Sequence, residues 1–372
     1  MEDIMYGTFC FKENVMSRLS ERENILRAIH FQTPGYIPVT YKINPSYYFA
    51  NDVDAVLDFQ ARHPLLFPGF GRPDTREFVE NLKKNLHPVM RKGIPFTDDF
   101  GCTWETKMEG MTGLVTRHPL EDLEDFDSYR FPDPNVCMGI GPINWEKVRS
   151  DMEQARARGE LTVGKLRHGH TFLQMCDICG YENFLFAMMD EEPVLEELLA
   201  GLEEFNCAQI QNYLDMDVDM IKIPEDLGMQ VGPMIPQEQF CQYIKPSYQR
   251  MMQMVRDAGK IVHMHSDGDI RTLAADIIDG GCQVLNLQDL VNGIDWIAEH
   301  LKGKVCVELD VDRQKITFGG TPQQIDDLIR EEVEKLSSPE GGLMMIYGLY
   351  PGTSLDNAEA VANALEKYCG LR

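Results

Sequence analysis

The sequence predicts an α/β fold of the TIM-barrel type, a (β/α)8 barrel, with a β-hairpin insertion in its first half. In the second half, short apolar segments alternate with amphipathic helical segments, a pattern typical of a parallel sheet that helices cover. No Gly-x-Gly-x-x-Gly or Walker-type loop follows the first predicted strand, which disfavours a nucleotide-binding Rossmann domain. We therefore predict one barrel domain over residues 1–372, with residues 1–18 as an N-terminal extension.

The first predicted element is a helix in the segment LSERENILRAIHF. Ser20 and Glu23 have the spacing of a capping box, and the apolar residues that follow recur on one helical face. Thr33-Pro34-Gly35 ends this helix, and YIPVTYKI predicts the first strand. The stretch from about residue 94 to 135 has a different character. There IPFTDDFGCTWETKMEGMTGLVTRHPL predicts the β-hairpin insertion, and the two prolines of FPDPN close it.

The rest of the chain predicts a regular series of strands and helices. Strands are predicted at residues 160–168, 218–226, 260–267, 282–289, 304–311 and 342–350. Amphipathic helices are predicted at residues 192–214, 236–259, 269–281, 293–303, 321–338 and 354–370. On the fifth of these helices, Glu332 and Glu334 are expected on an exposed face. Asp215, Asp217 and Asp219 come before a strand, and we expect their carboxylates to be solvated.

Composition excludes several classes of partner. The chain has 35 Lys and Arg against 60 Asp and Glu, a net charge of −25, which disfavours binding to nucleic acid or to anionic membrane surfaces. No apolar run reaches the roughly 20 residues that a membrane-spanning helix needs. Ten cysteines without framework spacing predict a reducing, cytoplasmic protein. Cys176 and Cys179 form a lone CxxC on a predicted buried helix, where we expect structural thiols.

Polar side chains follow most of the predicted strands, at the end where barrel enzymes carry their reacting groups. In GKIVHMHSDGDI, His263 and His265 alternate on one face of a strand, and Asp267 can share that face. The polar residues at the strand ends are His168, His170, Glu225, Asp226, His265, Asp267, Gln288, Asp289, Glu308, Asp310, Tyr347 and Tyr350. Their convergence predicts a site at the C-terminal mouth of the barrel.

Several segments together resemble the uroporphyrinogen decarboxylase superfamily, which includes corrinoid-linked methyltransferases. They are SERENILRAIHFQTPGYIPV, DDFGCTWE, HPLEDLEDFDSYRFPDP, PEDLG, HSDGD, GTPQQI and NAEAV, and the resemblance runs from about residue 19 to the C-terminus. It implies a (β/α)8 barrel, in agreement with the strand and helix pattern. It also implies one of two chemistries, decarboxylation or methyl transfer.

The methyltransferase branch matches better. The decarboxylases hold a substrate with eight carboxylates through an arginine-bearing N-terminal motif, whereas VTYKINPSYYFANDVDAV has Lys42 and no arginine. The methyltransferases bind zinc through a His-x-Cys-Gly motif and a later cysteine. Here HSDG places His265 and Asp267 in the first motif, and MIYGLYPGT offers Tyr347 and Tyr350 instead of the later cysteine.

This substitution predicts either a zinc site of nitrogen and oxygen ligands or a metal-free acid/base pair. In the first case His265 and Asp267 bind Zn²⁺, with Glu308, His263 or Glu225 as the third ligand. In the second case His265 and Asp267 act without a metal. A site poor in sulfur suits an ether or hydroxyl oxygen better than a thiol.

The functional prediction is methyl transfer in a corrinoid-dependent system, in which a small methylated, possibly O-methyl, substrate is demethylated by a corrinoid that a separate protein carries. The predicted catalytic residues are His265, Asp267, Glu225 and Tyr347. The predicted substrate-binding residues are Tyr47, Tyr48, Trp104, His168, His170 and Gln288, with Trp104 as a lid. The alternatives are a uroporphyrinogen decarboxylase-like carboxy-lyase and a non-catalytic barrel that binds a small ligand. A homodimer is also expected from the resemblance.

Overall fold

A computed structural model describes residues 19–371, so the predicted extension at residues 1–18 lies outside the described residues. The strands are β1 Val39–Ile43, β2 Phe96–Thr97, β3 Thr103–Glu105, β4 Leu114–Arg117, β5 Val163–Lys165, β6 Met220–Pro224, β7 Gly228–Met229, β8 Gly232–Pro233, β9 Ile261–Ser266, β10 Val284–Gln288, β11 Cys306–Asp310 and β12 Leu343–Leu349. Seven of them form one parallel sheet in the order β1-β12-β11-β10-β9-β6-β5.

The predicted TIM-barrel-type fold is confirmed, with seven strands in the sheet. β1 and β5 are the two ends of the sheet, and within residues 19–371 no strand pairs with both of them. The α-helices are α1 Glu21–Ile29, α2 Pro45–Ala50, α3 Val53–Arg62, α4 Thr75–Asn85, α5 Trp145–Ala157, α6 Phe172–Cys179, α7 Tyr181–Met189, α8 Val194–Leu214, α9 Gln237–Gln239, α10 Lys245–Asp257, α11 Ala274–Asp279, α12 Asp289–Asn292, α13 Ile294–His300, α14 Ile316–Gly319, α15 Pro322–Leu336 and α16 Leu355–Tyr368. None of the described helices is long and apolar enough to cross a membrane.

Helix α1 closes the N-terminal end of the barrel. Its predicted capping box is present, because the Ser20 side chain accepts from the Glu23 backbone and the Glu23 side chain accepts from the Ser20 backbone. The end of the helix packs against an apolar layer inside the barrel. This layer consists of Met220, Ile261, Val284, Cys306 and Met344 with Ala28 and Ile29 of α1.

Asp219 helps to hold α1 in place, so the prediction that its carboxylate is merely solvated is wrong. Its two oxygens accept from the Arg22 guanidinium at 2.6 and 3.1 Å. One of them also accepts from the backbone and hydroxyl of Thr162, both at 2.9 Å. These charge-assisted hydrogen bonds connect α1 to the start of two barrel strands.

The predicted hairpin insertion is a three-stranded antiparallel sheet, β2-β3-β4. Its key polar residue is Asp98, which is buried. Asp98 accepts from the Trp104 indole at 2.9 Å and from the backbone of Phe100 and Cys102 at 3.0 and 2.9 Å. The insertion is therefore fixed by a buried carboxylate as well as by strand pairing.

Helix α15 departs from the sequence prediction at Glu332. Glu334 is exposed as expected, but Glu332 is fully buried, and its carboxyl group is paired with the carboxyl group of Asp289. Burial, followed by the charge of Asp289, raises the pKa of Glu332 well above its usual value. Glu332 lies on the apolar stripe of α15 with Ile325, Ile329 and Val333. The charged residues beside it in the sequence predicted an exposed face, and they do not reveal that this one glutamate lies on the buried side.

Candidate functional site

Three neighbouring strands deliver one ligand-type side chain each to the C-terminal mouth of the barrel. His168 follows β5, Asp226 follows β6, and His265 lies at the end of β9. Asp226 Oδ1 is 3.3 Å from His168 Nε2 and 3.4 Å from His265 Nε2. All three ligand atoms lie within 4.8 Å of one another. We call these residues the His-Asp-His cluster.

The orientation of His265 is set by Asn286 on the adjacent strand. The His265 imidazole donates from Nδ1 to the Asn286 side-chain oxygen at 2.5 Å. Asn286 is itself fixed, because its Nδ2 donates to the Glu308 carbonyl at 2.7 Å. The proton on Nδ1 leaves Nε2 free to face Asp226. Metal-binding histidines are commonly held in this way by an acceptor at the second nitrogen.

The loops that carry the cluster pack closely against each other. Gly228, after Asp226, touches Gly268, after His265, so that a Cβ on Gly268 would lie 2.1 Å from the Gly228 carbonyl carbon. Gly268 also has a φ of +79°, a conformation that favours glycine. The backbone of Asp267 donates to Asp226 Oδ1 at 3.1 Å. Glycine at both positions thus allows the two loops to bring their polar side chains together.

His168 is supported from behind by its neighbour Arg167, which is buried. The Arg167 guanidinium is 3.4 Å from Asp98 and 3.1 Å from Asp177, and it lies 5.6 Å from the centre of the Trp104 ring. Trp104, the predicted lid residue, is therefore buried in a contact that positions the loop of His168. Burial raises the pKa of Asp177 to about 7, although Arg167 opposes this shift.

The protonation states within the cluster are strongly coupled. Burial disfavours the charge of Asp226, but hydrogen bonds from His168 and His265 lower its pKa far below the usual value. Burial also opposes the charge of His265, and the bond to Asp226 with the charge of Asp267 raises its pKa. Protons thus occupy the positions that a metal cation would take, and metal binding would release them.

A second polar group lies beside the cluster on the β11 side. The Arg313 Nη2 atom donates to Asp267 and to Asp310, both at 2.9 Å, and the guanidinium lies 5.2 Å from the centre of the Tyr350 ring. Asp310 is buried, and its Oδ1 has no partner among the described residues. Burial raises the pKa of Asp310 to about 7, so this carboxyl exchanges protons near neutral pH.

Glu225 does not join the site, because it serves the start of helix α6. Its carboxylate accepts from the backbone of Thr171, Phe172 and Leu173 at 3.0, 2.9 and 3.2 Å. It also accepts from the Tyr248 hydroxyl at 2.8 Å. These four bonds occupy the carboxylate in a fully buried position. The structure therefore assigns Glu225 to helix anchoring and not to catalysis or metal binding.

His170, a predicted substrate-binding residue, lies in the same buried region. Its Nδ1 is 2.7 Å from the Thr171 hydroxyl, and its ring packs on Tyr248. Burial lowers the pKa of His170 to about 3, so the ring is neutral. The side chain is only 1% exposed, which leaves no surface for a ligand.

Glu308 and His263, the other predicted metal ligands, bind each other deeper in the barrel. His263 Nε2 is 2.8 Å from Glu308 Oε2, and Lys222 Nζ is 3.9 Å from Glu308 Oε1. Asp267 is held by Arg313, and its Oδ1 is 3.7 Å from His265 Nε2. Of the predicted ligands His265, Asp267, Glu308 and His263, the structure therefore places only His265 in the His-Asp-His cluster.

The predicted tyrosines Tyr347, Tyr47 and Tyr48 are buried in packing contacts, and the last two belong to helix α2. Tyr347 is fully buried and packs 5.1 Å from the Tyr41 ring, so it faces the helical layer. Tyr47 and Tyr48 are also buried and donate to Thr353 and Gln60. Side chains alternate between the two faces of a strand, so a position near a strand end does not decide which face it occupies.

Gln288 is a buried loop anchor. Its side-chain oxygen accepts from the Gly268 backbone at 2.9 Å, and its carbonyl accepts from Asn292 at 2.8 Å. These bonds support the loop that follows His265, so Gln288 acts on the cluster through the backbone. The structure gives it a positioning role in place of the predicted contact with substrate.

The His-Asp-His cluster has the donor set of a catalytic zinc site. Two imidazole nitrogens and one carboxylate oxygen from three elements leave a fourth position open. Asp226 was among the polar strand ends but not among the predicted ligands, and His168 was predicted only to bind substrate. Asn286, Asp310 and Arg313 were missed as site residues, and of these only Asp310 had a sequence signal, its place at a strand end.

The chain is similar to one protein family and to several solved structures. A family model described as uroporphyrinogen decarboxylase (URO-D) matches residues 98–368. A solved methyltransferase from Methanosarcina mazei has a TM-score of 0.64 at 16% identity, over 94% of this chain and 99% of that chain. Xylanase 10B from Thermotoga maritima has a TM-score of 0.42 at 12% identity, over 95% of this chain and 100% of that chain. A search of curated protein sequences finds no significant match.

Proposed function

Because the chain belongs to the uroporphyrinogen decarboxylase (URO-D) family, we propose that it is a methyltransferase that moves a methyl group from a small O-methyl substrate to a corrinoid carried by a separate protein. The observation that supports this proposal is the convergence of His168, Asp226 and His265 at the barrel mouth. A donor set of two imidazoles and a carboxylate suits Zn²⁺, and a Zn²⁺ held there would polarise an oxygen atom of the substrate.

In this proposal, His168 Nε2, His265 Nε2 and Asp226 Oδ1 hold the metal. When bound, Zn²⁺ supplies a Lewis acid that polarises the ether oxygen and lowers the basicity of the leaving oxygen. Asn286 keeps Nε2 of His265 directed to this point, because it accepts the proton on Nδ1. The cluster lies at the C-terminal mouth of the barrel, from which a corrinoid on another protein would approach.

Asp310 is proposed to donate a proton to the leaving oxygen, with Arg313 as its supporting partner. Methyl transfer to a corrinoid leaves an alkoxide or phenoxide, which needs a proton at neutral pH. Asp310 has a pKa of about 7 and an unpartnered oxygen, so its protonated carboxyl is a suitable donor. Arg313 holds Asp310 and Asp267 in fixed positions and stabilises the Asp310 carboxylate after proton transfer.

The test combines metal content with methyl transfer. After reconstitution, we expect about one Zn²⁺ per chain. We also expect demethylation of an O-methyl substrate with cob(I)alamin as the acceptor, measured by the appearance of the absorption spectrum of methylcobalamin. His265→Ala and His168→Ala are expected to lose both the metal and the activity. His300→Ala, at an exposed histidine of α13, is the matched control and is expected to retain both. Full methyl transfer by metal-free His265→Ala protein would refute the proposal.

One observation favours a second candidate, a carboxy-lyase. Three lysines, Lys42, Lys165 and Lys222, lie inside the barrel, and a basic interior suits a substrate with a carboxylate to lose. The two candidates differ in their products. Carbon dioxide release from a carboxylic acid, unaffected by loss of the metal, would favour the lyase over the methyltransferase.

A further inference from the structure

The interior of the barrel contains three lysines on its open side. Lys42 lies on β1, Lys165 on β5 and Lys222 on β6, so they occupy the two end strands of the sheet and the strand next to one end. Lys165 and Lys222 are direct partners in the strand register. We call these three residues the lysine cluster. It is a concentration of positive charge within a chain whose net charge is −25.

The alternation of side chains shows that all three lysines face the interior. Next to Lys42, Tyr41 packs outward on Phe59, so Lys42 points inward. Next to Lys165, Gly164 faces outward, because a Cβ there would meet Tyr213 of α8 at 2.5 Å. Lys222 reaches Glu308 on β11, a strand that lies three places away in the sheet. Only an inward path across the curled sheet allows that contact.

The lysine cluster is short of counter-charge. Lys222 has Glu308 at 3.9 Å, but that carboxylate is already bonded to His263. Among residues 19–371, no carboxylate lies within 4.0 Å of Nζ of Lys42 or Lys165, and both side chains are solvent-exposed although they lie within strands. Desolvation inside the barrel and the charge of Lys222 lower the pKa of Lys42, against smaller opposing effects of the Glu308 and Asp310 charges. Desolvation and the charges of Lys42 and Lys222 lower the pKa of Lys165 in the same way. An anion bound between these positively charged side chains would reduce their mutual repulsion.

We propose that the lysine cluster binds the carboxylate of the substrate, below the His-Asp-His cluster. Three lysine side chains against the single Glu308 carboxylate leave a surplus of positive charge inside the barrel, which a carboxylate on the substrate would partly offset. In the strand register, Lys222 is paired with Lys165 and with His263, and Pro224 is paired with His265, so Lys222 and Lys165 lie two residues below His265. Two residues span about 7 Å of strand. The substrate class is therefore a small methyl ether with a carboxylate about that distance from the ether oxygen.

The methyl ether of this substrate rests on the proposed function, whereas its carboxylate rests on the lysine cluster alone. The test is therefore binding without turnover, by isothermal titration calorimetry of the full chain with zinc and no corrinoid. The probes are 5-methoxypentanoate and its neutral analogue 5-methoxypentanamide. We expect the carboxylate to bind at least tenfold more tightly than the amide. Retained carboxylate preference without methyl transfer would refute the proposed function and leave this site intact.

Substitutions then locate the site. Lys42→Met and Lys165→Met remove ammonium groups that make no ion pair among the described residues and that repel each other, so both variants are expected to fold with unfolding midpoints no lower than that of the unmodified protein. Each is expected to weaken carboxylate binding about tenfold and to leave amide binding unchanged. Lys304→Met, at the opposite end of the barrel, is the control and is expected to bind like the unmodified protein.

Three results would overturn the proposal. The first is equal affinity for the carboxylate and the amide. The second is tighter binding of inorganic phosphate than of 5-methoxypentanoate, which would assign the cluster to a phosphate ester. The third is covalent trapping of a carbonyl compound on Lys42 or Lys165 by borohydride reduction, because it would identify a lysine as an amine nucleophile.

Discussion

The substitution Glu332→Gln is expected to stabilise the protein, and to do so more strongly as the pH rises. Glu332 is fully buried beside Asp289. The Asp289 carboxylate accepts from the backbone of Leu290 and Asp312 at 2.5 and 2.8 Å, and these bonds oppose the rise in its pKa that burial causes. The proton of the pair therefore belongs on Glu332, which burial and the neighbouring charge keep neutral. Glutamine has nearly the same shape and is neutral at every pH.

The magnitude follows from the linkage between protonation and folding. In the unfolded chain Glu332 ionises near its ordinary value of 4.5, whereas in the folded protein its pKa is well above this. Folding above pH 4.5 therefore takes up a proton, and the stability of the unmodified protein falls by about 1.4 kcal/mol per pH unit until the folded pKa is reached. Glu332→Gln lacks this loss, so its advantage grows by about the same amount per unit.

The assay is urea unfolding followed by far-UV circular dichroism at pH 5.5 and 6.5. We expect the free energy difference between Glu332→Gln and the unmodified protein to increase by about 1.4 kcal/mol between these two pH values. Glu334→Gln, two residues away on the exposed face of the same helix, is the control and should show no such increase. A pH-independent difference, or a Glu332→Gln protein that is less stable at pH 6.5, would refute the reasoning.

Three further predictions concern residues that support the site. Asn286→Ala removes the acceptor that orients His265 and is expected to weaken zinc binding about 10- to 100-fold, measured against a competing chelator; unchanged affinity would contradict the orienting role. Glu225→Gln places an amide NH₂ group opposite backbone N–H donors, so it is expected to lower the free energy of unfolding in urea by about 3 kcal/mol. Tyr248→Phe removes one hydrogen bond to Glu225 and is expected to lower it by about 1 kcal/mol. Burial opposes the charge of Glu308, but His263 and Lys222 lower its pKa, so its stabilising effect is present above the ordinary value of 4.5 and is lost as the pH falls. The stability gap between the unmodified protein and Glu308→Gln should therefore narrow on acidification below pH 4.5, and a gap that widens would be inconsistent with this sign.

The structure brings some of the predicted site residues together at the strand ends and places others in separate contacts. His265 was identified because alternate histidines at the end of an apolar strand are unusual, and the structure does bring it to the barrel mouth. Glu225 and Tyr347 occupy equally suggestive strand ends, yet one anchors a helix and the other faces the outer layer. A position at a strand end predicts the height of a residue along the barrel axis. It does not predict the face to which the side chain points, because a shift of one residue reverses that face.

The amino-acid sequence by itself determined the alternation of strands and helices, the capping of α1, and the polar C-terminal mouth of a parallel barrel, because periodicity and capping are local properties of the chain. The tertiary structure decided which polar groups meet. His168, Asp226 and His265 are far apart in sequence and converge because β5, β6 and β9 are neighbours in the sheet. The lysine cluster and the buried Glu332 have the same origin: charge, burial and partner depend on distances through space, which spacing along the chain does not encode.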